Sequence, residues 1–298
     1  MRNARPLSLR FAACCIAAFA TAGCAELSES TKVVSYSSSA KENYDRGLSE
    51  LHGENWVDAI KYFTYTRSKF GFSKWATLAE LGIADANFGH EKYQDAVDGY
   101  RAFIKNHPQH EMVQNGYAAF RIGECFYKEI PTEWFLVPPA YEKDQGPVKD
   151  ALRELGAFAE EYGDSPYAQK ARKMIADCTR RLADHELYVA NFYLERNNPK
   201  ATINRLEGMV RDYPGSNREP EVLMLLGRTY LKLEKPSEAK QTFERLKVAH
   251  PDDFHAGKAQ LYLDYIARRW GNVPPPSKPI LSPAAPAPAT HPGGDGDG

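Results

Sequence analysis

Cysteine is scarce in this chain, at five in 298 residues, and net charge is scarcer still, at −1 from 38 basic and 39 acidic side chains. A balance that close to neutral provides no field to draw in nucleic acid. Removing residues 1–23, which carry Arg2, Arg5 and Arg10 and no acid, leaves a mild acidic excess and weakens that reading further. No apolar run approaches the roughly 20 residues that a membrane-spanning helix needs. Catalytic signatures are missing too: there is no HExxH, GxSxG, GxGxxG or phosphate loop. His107 and His110 flank Pro108 as solvated loop histidines, Glu160-Glu161 is a solvated helix face, and Asp295-Gly296-Asp297 resembles a calcium-loop fragment without its glutamate. The expectation is therefore a chain with no metal, no cofactor and no enzymatic activity. With 43% hydrophobic residues it has enough apolar side chains to build a core.

What is present begins with an export address. Three arginines precede the apolar stretch Phe11–Ala20, followed by Thr21-Ala22-Gly23 and then Cys24. Small residues directly before a cysteine resemble the lipobox of bacterial lipoproteins, which makes 1–23 a signal peptide and Cys24 the acylated first residue. An ordinary secretory signal is the alternative. Ala25 stands where an aspartate would resemble an inner-membrane retention signal, so the lean is toward the outer membrane. Residues 24–39 then read as a lipid-anchored tether. Cys125 and Cys178, the cysteines left in the mature domain, sit among apolar residues and are expected to be separate buried thiols.

The middle of the chain repeats. An alanine with a bulky or long residue four positions on recurs as Ala59/Phe63, Ala96/Tyr100, Ala151/Leu155, Ala201/Arg205 and Ala239/Phe243. About a dozen residues after each comes a breaker: Gly71, Pro108, Gly163, Pro214 and Pro251. This spacing predicts an all-α fold, a tetratricopeptide-like superhelix of about five helix pairs over 40–271. Ser165 and Pro166 are read as cap and first turn of an unusually long helix reaching Arg196. Pro131, Pro138, Pro139 and Gly146 interrupt the third unit as a loop that carries Trp134, Phe135 and Tyr141. A final helix, roughly Asp253 to Trp270, caps the stack, and 272–298 is a Pro/Ala/Gly tail expected to be disordered. First helices of such pairs line the concave face, where Tyr44, Leu48, Phe88, Tyr117, Phe120 and Arg121 are candidates for contacting a bound chain. Packing between helices is the alternative use for each.

The order of these motifs resembles a family, the outer-membrane assembly lipoproteins of the BamD type, from about Ala40 to Ala267. The resemblance is densest from Tyr162 to Pro214, and most specific in Ser165-x-Tyr167, then Arg181-Leu182-Ala183-x-x-Glu186-x-x-Val189-Ala190-x-x-Tyr193-x-Glu195-Arg196, then Asn204-Arg205-x-Glu207-Gly208-Met209-x-Arg211-Asp212-Tyr213-Pro214. It implies a lipid-anchored protein on the periplasmic face of the outer membrane, a scaffold in the barrel assembly machinery. Its C-terminal half, about 147–271, would bind the POTRA domains of a BamA-like insertase. Its N-terminal half, about 40–130, would receive unfolded outer-membrane barrel proteins. Asn204, Arg205, Glu195 and Arg196 are the implied partner-facing residues, with Arg205 first among them. An internal pair of Arg205 with Glu186 or Glu207 is the competing use. The rival function is a periplasmic repeat scaffold for the cell-envelope division or peptidoglycan machinery.

Overall fold

The computed structural model describes residues 34–131 and 139–277. The signal segment, Cys24, most of the tether, Trp134 and Phe135, and the end of the tail lie outside the described residues. The chain divides into residues 1–36 and 37–298. Residues 34–36, the described part of the first, have no regular secondary structure. Among the described residues of the second, all regular secondary structure is helical.

Five helix pairs follow one another: α1 (Ala40–His52) with α2 (Trp56–Lys69), α3 (Lys74–Gly89) with α4 (Tyr93–Asn106), α6 (Tyr117–Lys128) with α7 (Gly146–Glu161), α8 (Ala168–Glu195) with α9 (Pro199–Asp212), and α10 (Glu219–Lys232) with α11 (Pro236–Ala249). The short α5 (Glu111–Gln114) precedes the third pair and α12 (Phe254–Trp270) closes the stack. Each second helix packs against its own first helix and the next one, and first helices also touch directly, α1 on α3, α6 on α8 and α10 on α12.

The breakers work in a uniform way. Every one stands two residues past the end of a second helix, after an aromatic or histidine C-cap: Phe70, His107, Tyr162, Tyr213 and His250. The backbone carbonyl of each cap accepts from the N–H three residues on, at Ser73, His110, Ser165, Ser216 and Asp253. Within pairs, a different turn recurs at Glu54, Glu91, Asn197 and Glu234, all with positive φ. In each, the following N–H bonds back to the carbonyl five residues before it, the closing bond of a Schellman turn. Side chains other than glycine strain in this region by about 1–2 kcal/mol. Replacing Glu91 (φ 61) with glycine is therefore expected to stabilise the protein by about 1 kcal/mol, read as a higher urea midpoint.

Packing explains the alanine spacing. Phe63 of α2 lies against Gly47 of α1 and Gly82 of α3, where an added Cβ would fall 2.6 and 2.8 Å from its ring. Phe243 of α11 is seated the same way on Gly227 of α10. Ala59, Ala96, Ala151 and Ala239 are fully buried together with their partners four residues on. The fourth unit departs from expectation by one position. Ala201 is only half-buried and Arg205 is exposed, and the fully buried pair is Thr202/Leu206. A threonine fits the alanine site because its hydroxyl donates to the Asn198 carbonyl at 3.1 Å.

Three further expectations are corrected. Ser165 is not the N-cap of α8, which begins after Tyr167. Its hydroxyl donates instead to the Asn115 carbonyl (2.7 Å), tying the turn before α8 to the turn before α6. The tether is docked by its last residues, since Ser39 caps α1 and Ser37 exchanges two hydrogen bonds with the buried Asn43. The stack likewise runs past Gly271: Val273 is buried in the core of the last helices. The final helix, in contrast, keeps close to its expected bounds, running from Phe254 to Trp270 with Asp253 as its N-cap. Cys125 and Cys178 are free and buried, each thiol pushed up to about 12 by that burial.

Candidate functional site

Two clusters hold the residues singled out by sequence. In the first, Asp85 of α3 accepts from the hydroxyls of Tyr100 (2.6 Å, α4) and Tyr117 (2.7 Å, α6). Arg121, one turn along α6 from Tyr117, donates from Nε to the Tyr100 hydroxyl at 3.1 Å and from Nη1 to Glu124 at 2.8 Å. Its guanidinium lies 3.6 Å from the centre of the Phe88 ring. Glu124 is 3% exposed and also accepts from Lys170 of α8 at 2.6 Å. Four helices thus converge on one polar network. Burial raises the Asp85 carboxyl, against the pull of both tyrosine hydroxyls and Arg121. Burial and the Asp85 charge raise the Tyr117 phenol, with Arg121 opposing.

Phe88, Tyr117 and Arg121 therefore come together. Phe120 does not share that surface: it is 2% exposed, stacked on Tyr167 and packed against Phe158. Tyr44 and Leu48 pack on the first core, with the Tyr44 ring 5.6 Å from Phe63 and 5.4 Å from Trp75. Sequence reasoning missed Asp85, the acceptor that organises the network. A lone aspartate in a helix looks like surface, and the only hint was two tyrosines in later helices with no other use for their hydroxyls.

The second cluster surrounds a cleft of about 450 Å³ between α8 and α9, lined by Glu186 and Tyr193 on one side and by Asn204, Arg205, Gly208 and Arg211 on the other. Asn204 and Arg205 are exposed because the register of α9 buries Thr202, Ile203 and Leu206 instead. Arg205 Nη1 reaches Glu186 Oε2 at 3.3 Å. Glu207 is engaged elsewhere, accepting from the Tyr230 hydroxyl. Arg205 is 44% exposed and held by that one ion pair, so about 1 kcal/mol or less ties it to the fold. Glu195 ends α8 and is exposed, and Arg196 caps it, its guanidinium 3.5 Å from the centre of the Phe192 ring. Tyr193 and Glu186 bring α8 to the cleft, so Glu195 and Arg196 lie at its end of the helix.

Histidines 107 and 110 have structural duties. His107 Nε2 is 2.9 Å from Glu80 Oε2, and His110 Nδ1 accepts from the Met112 N–H. Among the described residues no group of three or more His, Cys, Asp or Glu side chains is gathered to hold a metal.

A stack of helix pairs with polar clefts on its flanks defines a helical-repeat scaffold, a class that works by holding other chains rather than by bond chemistry. Comparison with known proteins narrows the class. The chain belongs to the YfiO family, described as outer membrane lipoprotein, whose profile matches residues 37–246. It is similar to the outer membrane protein assembly factor BamD of Caulobacter vibrioides, 25% identical over 238 residues that cover 80% of this chain and 75% of that protein. The factor of the same name from Pasteurella multocida is 26% identical over 198 residues, covering 65% and 74%. That of Neisseria gonorrhoeae is 24% identical over 218 residues, covering 72% and 80%.

Proposed function

We infer that this protein is an outer-membrane protein assembly factor acting as a lipid-anchored scaffold at the periplasmic face. In this reading Cys24 carries the acyl chains and 24–39 serves as the tether. The cleft between α8 and α9 takes the POTRA domains of a BamA-like insertase. The N-terminal half receives unfolded barrel proteins before they are passed on. Among the described residues no helix is long and apolar enough to cross a membrane. The observation that carries the reading is the placement of Arg205. It is half-exposed at the rim of a cleft, next to Asn204, with a single internal partner that leaves most of its donors for another chain.

Recovery of tagged protein from mildly solubilised envelopes tests this. The wild type is expected to bring down a BamA-like barrel protein. Arg205→Glu is expected to abolish that recovery, because breaking a desolvated interfacial ion pair costs about 2–5 kcal/mol. The fold should survive, since the Arg205–Glu186 ion pair is a weak one at the surface. Undiminished recovery with the variant would move the interface away from this cleft. Division or cell-wall proteins in place of a barrel protein would support the rival scaffold.

A further inference from the structure

The five turns that follow the second helices share a bonding pattern, with a positive φ at Gly215 setting the fourth apart, so the others serve as controls for one another. In the first of them Phe72 stands two residues after the aromatic cap and is fully exposed. Its equivalents are Gln109, Asp164, Gly215 and Asp252, all polar or small. The turn geometry therefore makes no demand for an aromatic there, and Phe72 buries nothing in return for its exposure. Charge departs at the same place. Lys69 and Lys74 flank Phe72, and no equivalent position in the other four turns is basic. Arg67 adds a third exposed cation. Among the described residues none of these three has an acidic partner, while Lys74 sits 4.8 Å from the centre of the Trp75 ring. The nearby acids of α1 are engaged, Glu42 by Arg46 and Asp45 by Lys41, each at 2.6 Å.

The turn also occupies a particular end of the molecule. Lys41, in the first turn of α1, lies 5.6 Å from the centre of the Trp75 ring, in the first turn of α3. The tip is thus at the end of the first pair where the chain enters α1. An extended chain spans at most about 3.5 Å per residue, so the sixteen positions from Cys24 to Ala40 reach about 56 Å at most.

We propose that Phe72 and its collar of Arg67, Lys69 and Lys74 form a second membrane contact, with Phe72 entering the interface of an anionic phospholipid bilayer. An aromatic ring settles at the headgroup boundary while lysine and arginine stems lie along it and leave their charges at the phosphates. Each basic residue near an anionic surface strengthens partitioning about fivefold. The contact would fix which end of the scaffold faces the bilayer, which a tether alone leaves open. The inference rests on the lipid-anchored reading only for the reach of the tether.

A spin label on Phe72→Cys tests it in the full chain reconstituted into vesicles of 3:1 phosphatidylethanolamine and phosphatidylglycerol. The native thiols Cys125 and Cys178 are buried and stay unlabelled, and signal from the unsubstituted chain is subtracted. The label at position 72 should be more accessible to oxygen than to a water-soluble nickel chelate. A label on Phe254→Cys, the exposed phenylalanine of the last turn, should behave as in water. Adding Lys69→Glu and Lys74→Glu, or replacing phosphatidylglycerol with phosphatidylcholine, should return position 72 to water and weaken its insertion at least tenfold. Flotation of the same samples reports the anchor separately. Protein that floats with position 72 in water overturns this proposal alone, whereas protein that does not float overturns it together with the anchor. A label shielded only when a barrel insertase is added would make the tip a protein interface and overturn it as well.

Discussion

Replacing Arg121 with alanine is expected to destabilise the protein by about 3 kcal/mol, among the largest effects of any single side chain outside the apolar core. Arg121 neutralises Asp85 and Glu124, which are taken out of water by the convergence of α3, α4, α6 and α8. Without it both carboxylates stay in place with less compensation, and an uncompensated buried charge costs more than the intact network contributes. Lys170 continues to serve Glu124, which holds the loss to the lower end of the usual range. Arg121→Lys should recover only part, since an ammonium cannot reach Tyr100 and Glu124 as a fork while lying flat on Phe88. The pH dependence has a definite sign. The Asp85 carboxyl is already raised by burial, and losing Arg121 raises it further. A raised acid is penalised above its folded pKa and relieved below its unfolded one. The gap between wild type and variant, measured as urea midpoints, should therefore narrow as pH falls toward 4. A constant gap from pH 7 to 4 would show that Asp85 is not the group left stranded.

Phe63→Ala is the second large effect, about 3–5 kcal/mol. The ring fills a space whose walls on two sides are glycines, Gly47 and Gly82, so those two walls have no side chain to relax into the void. Because each helix pair touches only its neighbours, the damage should stay local. Hydrogen exchange should accelerate across α1, α2 and α3 while α10 to α12 keep their protection. Uniform acceleration along the chain would mean that the stack unfolds as a single unit and that the nearest-neighbour picture is wrong.

Much of this architecture was legible in the sequence because it depends on local chemistry. A glycine or proline after an aromatic cap stops a helix wherever it occurs, so the five breakers mark five real ends. The alanine spacing is obeyed where the small residue is alanine. It slips in the fourth unit because Thr202 takes that place by spending its hydroxyl on a carbonyl of its own helix, which apolar spacing cannot register. That slip matters for the site: the corrected register is what leaves Asn204 and Arg205 at the surface. Ser165 misled for a similar reason, since its hydroxyl accepts from the Tyr167 N–H in the turn before α8 and donates to the Asn115 carbonyl, fifty residues away. The candidate residues of the N-terminal half were harder. Phe88, Tyr117 and Arg121 do assemble, but only around Asp85, whose burial is created by helices distant in the chain. Phe120 and Phe88 lie on first helices with similar spacing, and nothing local says which ring turns inward.

The 28-residue α8 is about twice the length of the helices around it. Springs joined in series add their compliances, and a stack of short pairs held by nearest neighbours bends at every joint. Here one rod of about 42 Å meets α6, α7 and α9 and also the short turn at Ala140–Glu142, so the middle of the series is splinted. Flexure is left to the joints on either side of the splint. Each half can then adjust its curvature independently, while the orientation of one half to the other is set by a strut that thermal motion hardly bends.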